Sequence, residues 1–219
     1  MAKDSVIILS GGIDSTTLLH YHKNRIAVAI SFDYGSTHNQ RELECAKWQC
    51  NQLGIEHLII PLEFMSKYFK SSLLSEAKDI PLGSYEKENM KSTVVPFRNG
   101  IMLSIACGLA ESRGLKHVMM ANHGGDHAIY PDCRPEFTEA MNLAMQAGTY
   151  KHITLIDPFT HITKADIILL GAKKLFVDYK HTYSCYCGGE KHCGQCATCI
   201  ERRRSFELMG IPDPTEYEK

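Results

Sequence analysis

Short apolar runs of strand length alternate along this chain with segments of helix length, and this alternation constrains the fold more than any other feature. Strands are predicted at residues 6–9, 26–35, 55–60, 115–122 and 152–158, with helical segments between most of them. Parallel strands need crossover connections of a dozen or more residues, which are usually helices. The sequence therefore predicts an α/β fold in which helices cover both faces of a parallel sheet.

Polar clusters follow the predicted strands, and they read "SGGIDS", "FDYGSTH", "ANHGGDHAIYPDCR" and "DPFTHIT". Because ligands of open parallel sheets bind beyond the carboxyl ends of the strands, we expect these clusters to converge on one edge. The segment 63–95 lacks firm periodicity and predicts an irregular excursion. Residues 163–175 predict a helix capped by Thr163, and residues 201–210 predict a C-terminal helix with a solvated charged face.

The charge balance argues against a dedicated nucleic-acid-binding protein. The chain has 219 residues and carries 24 basic and 25 acidic side chains, which gives a net charge of −1. Proteins of that class usually carry a basic surplus. The start lacks the pattern of a secretory signal, and no apolar run approaches the roughly 20 residues that span a bilayer. We therefore expect a cytoplasmic protein without a membrane or nucleic-acid partner.

The stretch "LSGGIDST" at residues 9–16 follows the first apolar run directly. A strand-to-helix turn made by Gly11 and Gly12 would expose backbone N–H groups, and the next helix would aim its positive end at the same place. The alternative is a simple tight turn with a capped helix. The stretch has neither the lysine of a Walker loop nor the spacing of a dinucleotide-binding motif. The combination of strand, glycines, acid and hydroxyls predicts a phosphate-binding loop, in which Asp14 helps to hold Mg²⁺.

Five of the nine cysteines fall in the short window "SCYCGGEKHCGQCATC". Consecutive C-x-x-C steps turn thiolates toward one tetrahedral ion, and a closed four-thiolate site is normally structural. We favour zinc held by Cys185, Cys193, Cys196 and Cys199, which would brace the fold. Cys187 is an alternative first ligand and His192 a weaker one. A redox pair, an iron–sulfur cluster and free thiols are the competing interpretations.

The glycine stretch resembles the S-G-G-x-D-S-[ST] loop of the ATP pyrophosphatase (PP-loop) family, which cleaves ATP to AMP and pyrophosphate. This resemblance implies a Rossmann-like sheet of the adenine nucleotide alpha hydrolase-like type. It also implies a loop that grips pyrophosphate and leaves the α-phosphorus open to a substrate oxygen. We expect a PP-loop ATP pyrophosphatase domain at residues 1–180 and a small zinc-binding module at residues 181–219.

Three further stretches extend the resemblance over nearly the whole chain: "FDYG" at 32–35, "VPFRNGIMLSIA" at 95–106 and "GDHAIYPDCRPEF" at 125–137. With the cysteine window, they resemble the 7-cyano-7-deazaguanine synthase family of queuosine precursor biosynthesis. Phe97 stands where a smaller residue is expected. The resemblance implies an ATP-dependent ligase with Mg²⁺ and Zn²⁺ as cofactors, with 7-carboxy-7-deazaguanine and ammonia as co-substrates, and a homodimer. In outline, two adenylations convert the acid to an amide and the amide to a nitrile.

The resemblance also implies roles for individual residues. The nucleotide would contact Leu9, Ser10, Gly11, Gly12, Ile13, Asp14, Ser15, Thr16, Thr17 and Asp33. The second substrate would contact Tyr34, Arg98, Asn99, Asp126, Tyr130, Asp132 and Arg134. Among these, Asp14, Arg98 and Asp126 are the predicted catalytic residues. A carboxylate of Asp126 or Asp132 would accept from the purine-like edge, Tyr130 would stack on the ring, and Arg98 or Arg134 would pair with a carboxylate or the α-phosphate.

Other functions fit part of the same pattern. A relative could stop at the amide or transfer the activated acyl group to another acceptor, with the same loop and cysteine site. A tRNA-thiolating enzyme of the PP-loop family would show a basic surplus and a catalytic cysteine pair, and the near-neutral charge disfavours it. A nucleotide-binding regulator braced by zinc is the non-enzymatic alternative.

Overall fold

The computed structural model describes residues 3–74, 80–83 and 88–219. Its sheet has five parallel strands in the order β3-β2-β1-β4-β5, so the predicted parallel α/β fold is confirmed. The strands are β1 (Ser5–Ile8), β2 (Ile26–Asp33), β3 (Glu56–Pro61), β4 (His117–Met119) and β5 (Thr154–Ile156). The polar ends of the longer predicted strands lie in loops, because backbone pairing stops where the side chains turn toward a cavity.

The α-helices of the described residues cover both faces of this sheet. They are α1 (Ile13–His22), α2 (Asn39–Leu53), α3 (Glu63–Tyr68), α4 (Arg98–Ser112), α5 (Pro135–Ala147), α6 (Lys164–Leu170) and α7 (Ala197–Leu208). Alternate residues of a strand point to opposite faces. In β1, Val6 packs with residues of α4 and Ile7 packs with residues of α1 and α6, so each face of the sheet has its own buried layer.

The predicted cap at Thr163 is confirmed, but the predicted regular helix at 163–175 is not. Gly54 adopts the left-handed conformation (φ 60°) that ends α2. Thr163 and Asp166 form a reciprocal capping box at the start of α6. The predicted helix at 163–175 changes at Gly171 into a wider π-helical turn over residues 171–175. There the hydroxyl of Tyr179 occupies the space that a Cβ on Gly171 would need, so this backbone must pass close to Tyr179.

The predicted excursion at 63–95 contains more regular structure than its sequence indicates. It begins with α3 and ends with a 3₁₀ helix at Glu88–Thr93. Residues 75–79 and 84–87 of this prediction lie outside the described residues. The stretch Met90–Ser112, which contains α4, is long and apolar enough by composition to cross a membrane. Half of it is buried inside the protein, as expected of a core helix packed on β1 and β4.

Helix α7 is longer than predicted, because it begins at Ala197 directly after Cys196. Its charged face is only partly solvated. Arg202 is 0% exposed and forms an ion pair with Asp213. It also donates to the Thr182 hydroxyl and the Tyr179 carbonyl oxygen. A guanidinium has five N–H donors, so it can join several loop segments when each is satisfied. Cys185, Cys196 and Cys199 belong to the same buried cluster as residues of β2 and α4, and Cys193 packs against it.

Candidate active site

A cavity of about 210 Å³ lies at the carboxyl ends of the central strands. Its wall includes residues that follow β1 and residues that follow β4, such as Ser10 and Asn122. The chain leaves β1 toward α1 on one face of the sheet and leaves β4 toward α5 on the other face. A crevice opens where neighbouring strands connect in opposite directions, and this is the usual ligand site of such sheets.

The glycine loop between β1 and α1 forms one end of this cavity. Gly11 has φ 88°, and a Cβ at this position would lie 2.2 Å from the carbonyl oxygen of Glu42. Any larger residue would therefore both strain the backbone and collide with α2. Gly12 precedes α1, and no side chain caps the first N–H groups of this helix. These N–H groups carry the positive end of the helix dipole toward the cavity, which suits an anion.

The hydroxyl groups of Ser10 and Ser15 fix the shape of the loop, and both residues line the cavity. The Ser10 and Ser15 hydroxyls lie 2.9 Å apart, and the N–H of Gly12 donates to the Ser10 hydroxyl. The Thr16 hydroxyl is buried without a hydrogen-bond partner in the described part of the chain. Such an unsatisfied group costs about 1–3 kcal/mol. Hydrogen bonds within the loop therefore fix its shape, but the Thr16 hydroxyl takes no part in them.

Behind the loop lies a cluster of charged side chains from four elements. The Lys164 ammonium lies 2.6 Å from a Glu201 carboxylate oxygen and 3.6 Å from Asp14 Oδ2. His123 Nε2 lies 3.4 Å from Asp126 Oδ2 and 3.9 Å from Asp14 Oδ2. His123 Nδ1 accepts from the Gly125 N–H, so its neutral form carries the proton on Nε2, facing the carboxylates. Asp14 Oδ1 is buried and has no hydrogen-bond partner among the described residues.

Burial acts on these charges in opposite directions. It would lower the pKa of Lys164, but the carboxylates of Asp14, Glu201 and Asp126 raise that pKa above its usual value. Burial raises the pKa of Asp126, which the neighbouring His123 and Lys164 partly offset. The ammonium of Lys164 therefore stays charged beside the glycine loop. Its charge offsets part of the negative charge of these carboxylates and so reduces their repulsion of phosphate oxygens in the cavity.

At the other end of the cavity, Arg98 is the first residue of α4. Its Nη1 lies 3.4 Å from the Tyr34 hydroxyl, its guanidinium lies 5.9 Å from the centre of the Tyr34 ring, and it forms no ion pair within the described residues. The residue before it, Phe97, has φ 52°, a conformation that is strained for a bulky side chain. The Phe97 ring lies over the position that a Cβ on Gly100 would take. An unpaired guanidinium here is suited to a ligand carboxylate.

The wall next to Arg98 carries aromatic rings and an acid–imidazole pair. The Tyr130 hydroxyl is hydrogen-bonded to the hydroxyls of Thr93 and Tyr186, which fixes its ring in place. Glu42 and His38 project from the first turn of α2 and from the residue before it. Burial raises the pKa of Glu42 to about 8 and lowers the pKa of His38 to about 4, so neither group favours its charged form in this wall.

The structure brings most of the predicted site residues to this cavity. Those in its wall are Leu9, Ser10, Gly12, Ile13, Asp14, Ser15, Tyr34, Arg98, Asn99, Asp126 and Tyr130. Gly11 shapes the loop from behind. Thr16, Thr17, Asp33, Asp132 and Arg134 are not part of the wall.

Four of the five residues outside the wall lie elsewhere in the fold. Thr17 donates to the Ile13 carbonyl oxygen and is hydrogen-bonded to Tyr179, on the buried side of α1. Asp132 accepts from the backbone N–H of Asn99 and thereby caps the start of α4. Arg134 donates to the His127 carbonyl oxygen, and Asp33 is exposed at the end of β2. Asp132 thus places Arg98 and Asn99 by holding their helix.

Sequence reasoning missed three polar residues of the site, namely Glu42, Lys164 and Glu201, whereas His38 and His123 belong to the polar clusters that follow the predicted strands. Lys164 follows the polar cluster after β5, and this position was a usable signal. No sequence signal pointed to Glu201, because the charged pattern of its helix predicts a solvated face. No motif marks Glu42, because it lies within the mixed polar and apolar pattern of α2. Gln49 is fully buried there, whereas Leu43 and Trp48 are only partly buried.

The four favoured cysteines form a second site beside the cavity. The sulfur atoms of Cys185, Cys193, Cys196 and Cys199 all lie within 4.8 Å of one another. The Cys193–Cys199 and Cys196–Cys199 sulfur distances are 3.9 Å and 3.5 Å. A tetrahedron with metal–sulfur bonds of about 2.3 Å has edges of about 3.8 Å, so the donor set fits zinc. Backbone N–H groups of Cys193 and Cys196 donate to two of the sulfurs, which stabilises thiolate charge.

Neither alternative ligand belongs to this group. Cys187 is exposed, whereas three of the four clustered cysteines are buried. His192 is buried, but its Nε2 accepts from the Ser184 N–H, and its ring packs against Tyr183 and Tyr217. The geometry therefore favours Cys185 as the first ligand.

Comparison with known proteins gives a consistent result. Residues 4–210 match a family model described as "Queuosine biosynthesis protein QueC". The chain is 57% identical over 216 residues to the 7-cyano-7-deazaguanine synthase of Porphyromonas gingivalis, with 99% of this chain and 98% of that protein covered. The proteins of the same name from Desulfotalea psychrophila and Rhizobium meliloti are 50% and 45% identical. Each comparison covers 98% of this chain, and they cover 98% and 92% of those proteins.

A solved structure shows a similar fold. The NMN synthetase from Francisella tularensis superposes with a TM-score of 0.53 at 15% sequence identity. The superposition covers 96% of this chain and 79% of that one. At this identity the likeness concerns the fold alone.

Proposed function

Because the chain belongs to the queuosine biosynthesis protein QueC family, we propose that it is an ATP-dependent ligase that converts 7-carboxy-7-deazaguanine and ammonia to 7-cyano-7-deazaguanine. One observation carries the proposal. A single cavity has an uncapped helix N-terminus with Lys164 at one end and the unpaired Arg98 at the other end. This arrangement suits a polyphosphate and a carboxylate that must meet between them.

The reaction begins when the substrate carboxylate attacks the α-phosphorus of ATP and pyrophosphate leaves. The N–H groups at the start of α1 and the Ser10 hydroxyl would hold the departing pyrophosphate, and Lys164 would offset its charge. Magnesium would supply further charge neutralisation, and the unpartnered Asp14 Oδ1 fits a hard cation. No nucleophilic side chain is needed. The only thiol in the described wall is Cys133, and burial raises its pKa above the usual value.

Ammonia then displaces AMP to give the amide. A second adenylation, on the amide oxygen, allows AMP to leave again and yields the nitrile. The chemistry uses AMP as the leaving group both times, because hydroxide and oxide leave poorly. In this scheme Arg98 orients the acid, Tyr130 packs against the deazapurine ring, and Asp126 accepts hydrogen bonds from its N–H edge.

The cysteine site would hold Zn²⁺ with a structural role, because four sulfur ligands leave no open position for catalysis. The site lies at the start of α7, and that helix carries Glu201, which contacts Lys164. Bracing of this helix would therefore also support the charged cluster. We expect the PP-loop region at 1–180 and the cysteine module at 181–219 to act as one unit around the cavity.

The decisive experiment incubates the protein with ATP, magnesium, ammonium and 7-carboxy-7-deazaguanine and analyses the products by mass spectrometry. We expect the nitrile, AMP and pyrophosphate, with two AMP formed per nitrile. Accumulation of the amide would instead show a relative that stops after one ligation. Absence of AMP under all conditions would refute the ligase.

A paired variant separates the loop from the fold. Ser10→Ala with Asp14→Ala should abolish AMP release and leave the zinc content at one ion per chain. Loss of zinc in this variant would show that the substitutions disturb the whole fold and do not report on the loop. We also expect a cytoplasmic homodimer. Light scattering after gel filtration should give the mass of two chains, and cell fractionation should recover the protein with the soluble enzymes.

A further inference from the structure

Glu42 is a polar group of the cavity wall whose role the preceding steps leave open. Its side chain is 16% exposed and lines the cavity. Among the described residues, its carboxylate accepts no hydrogen bond, and the nearest basic nitrogen is His38 Nε2 at 3.7 Å. A carboxylate that is largely removed from water without donors is costly, so proteins seldom keep one for structure alone.

The position of Glu42 in its helix does not account for this cost. An acid in the first turn is stabilised by the helix dipole by about 0.3–1 kcal/mol when it is exposed. An exposed carboxylate on the same helix, Glu44, keeps its contacts with water and with Arg41. Glu42 instead faces the cavity, where burial outweighs the opposing effect of the Arg98 charge on its pKa.

Glu42 lies near both the glycine loop and Arg98. Its carbonyl oxygen occupies the space that a Cβ on Gly11 would need, and the charge of Arg98 lowers the pKa of its carboxyl group against the effect of burial. A carboxylate held by Arg98 and attacking the α-phosphorus would place the acyl carbon in this part of the cavity. His38 next to it is buried, and burial keeps its imidazole uncharged near neutral pH. The pair therefore offers two acceptor groups and no cation of its own.

We propose that Glu42, with His38, forms the ammonium-binding site of this enzyme and that the Glu42 carboxylate takes the proton that turns ammonium into the attacking ammonia. This inference rests on the proposed ligase function. Ammonium is the main form of ammonia at neutral pH, and it has no lone pair for attack. Without a ligand the Glu42 side chain is largely protonated, and a bound cation with four N–H donors favours its carboxylate form next to the neutral His38 imidazole.

The step balances as follows. Ammonium gives one proton to Glu42, and the freed lone pair forms the C–N bond to the acyl carbon of the adenylate. The C–O bond to AMP breaks, and its electron pair leaves with AMP. The second proton is lost from nitrogen as the amide forms and is taken by the departing phosphate. Glu42 returns its proton to solvent before the next cycle.

The test uses Glu42→Gln, which keeps the shape of the side chain but cannot accept the proton. With ammonium, we expect amide formation to fall about 100-fold, as is usual for loss of a general base. With hydroxylamine, which is already uncharged at neutral pH, hydroxamate should form within about twofold of the native rate. Exchange of labelled pyrophosphate into ATP, which reports adenylation alone, should also stay within about twofold of the native value.

Glu44→Gln on the exposed side of the same helix is the matched control and should leave all three rates unchanged. If Glu42→Gln slows the hydroxylamine reaction as much as the ammonium reaction, the carboxylate does not act on ammonium and the proposal is wrong. Full activity of Glu42→Gln with ammonium would also overturn it. Failure of the ligase itself is distinguishable, because the native protein would then show no substrate-dependent pyrophosphate exchange.

Discussion

The glycine loop and the cysteine cluster lie close together but satisfy their polar groups in opposite ways. Around the loop, Asp14 Oδ1, the Thr16 hydroxyl and His123 Nε2 are buried without hydrogen-bond partners in the described chain. In the cluster, backbone N–H groups donate to the sulfurs of Cys185 and Cys193. An unsatisfied group in the cavity wall, such as Asp14 Oδ1, marks a place where a bound ligand can supply the missing contact. The cysteine segment already provides backbone N–H groups that donate to its sulfurs, as a metal site needs.

The largest effect should come from breaking the cysteine cluster. Cys196→Ser removes one sulfur from a closed site, and metal binding in small modules supplies on the order of 10 kcal/mol to folding. We expect loss of zinc and of most folded protein, measured by metal analysis and by circular dichroism. Cys187→Ser, which changes an exposed thiol outside the cluster, should retain one zinc per chain. Equal zinc loss in both variants would show that Cys187 is a ligand.

The next largest effect should come from the helix that links the two regions. Arg202→Met leaves Asp213 without its buried partner, and breaking such a pair costs about 3–5 kcal/mol. Denaturant unfolding should show this loss of stability. Arg204→Met on the exposed face of α7 should change the free energy of unfolding by less than about 0.5 kcal/mol. If the two variants are equally stable, Arg202 does not join the segments as described.

Glu42 should make the cavity region sensitive to pH. Its pKa is raised from 4.5 to about 8 in the folded protein, so the unfolded chain loses this proton at lower pH than the folded chain. Stability of the native protein should therefore fall as the pH rises from about 4.5 to about 8. Glu42→Gln removes this titration and should gain stability over the native protein across that interval. The gain should be a few kcal/mol at most, since one pKa unit is about 1.4 kcal/mol.

Unfolding curves measured at several pH values check this prediction. Glu44→Gln is again the control and should run parallel to the native protein. A difference between Glu42→Gln and the native protein that stays constant with pH would contradict the raised pKa of Glu42.

The smallest effect should come from two adjacent threonines. Thr16→Val replaces an unpartnered buried hydroxyl outside the cavity wall and should stabilise the fold by about 1 kcal/mol, with no change in the affinity for ATP. Thr17→Val removes hydrogen bonds to the Ile13 carbonyl oxygen and to Tyr179, and should destabilise the fold by about 1 kcal/mol. Thermal unfolding and nucleotide titration measure both effects. The same sign of stability change in both variants would show that the Thr16 hydroxyl forms a hydrogen bond in the native protein.

Much of the site could be predicted from local patterns. The loop at 9–16 and the four clustered cysteines are each contiguous or nearly so, and their spacing reports directly on turns that the backbone must make. Strand ends were placed too far along, because polar residues after a buried run read as strand until pairing is known. Lys164, Glu201 and Glu42 escaped prediction because each belongs to a different element and has no motif of its own.

The sequence alone determined the parallel α/β architecture, the turn at Gly11 and three of the sulfur donors, Cys193, Cys196 and Cys199, whereas the choice of Cys185 over Cys187 needed the structure. These features depend on apolar periodicity, backbone sterics and short spacings, which are local properties of the chain. Only the tertiary structure decided that Arg202 is buried, that Glu201 contacts Lys164 beside Asp14, and that Glu42 faces Arg98 across the cavity. Whether a charged side chain is solvated or paired depends on which distant elements pack against it, and sequence spacing carries no record of that contact.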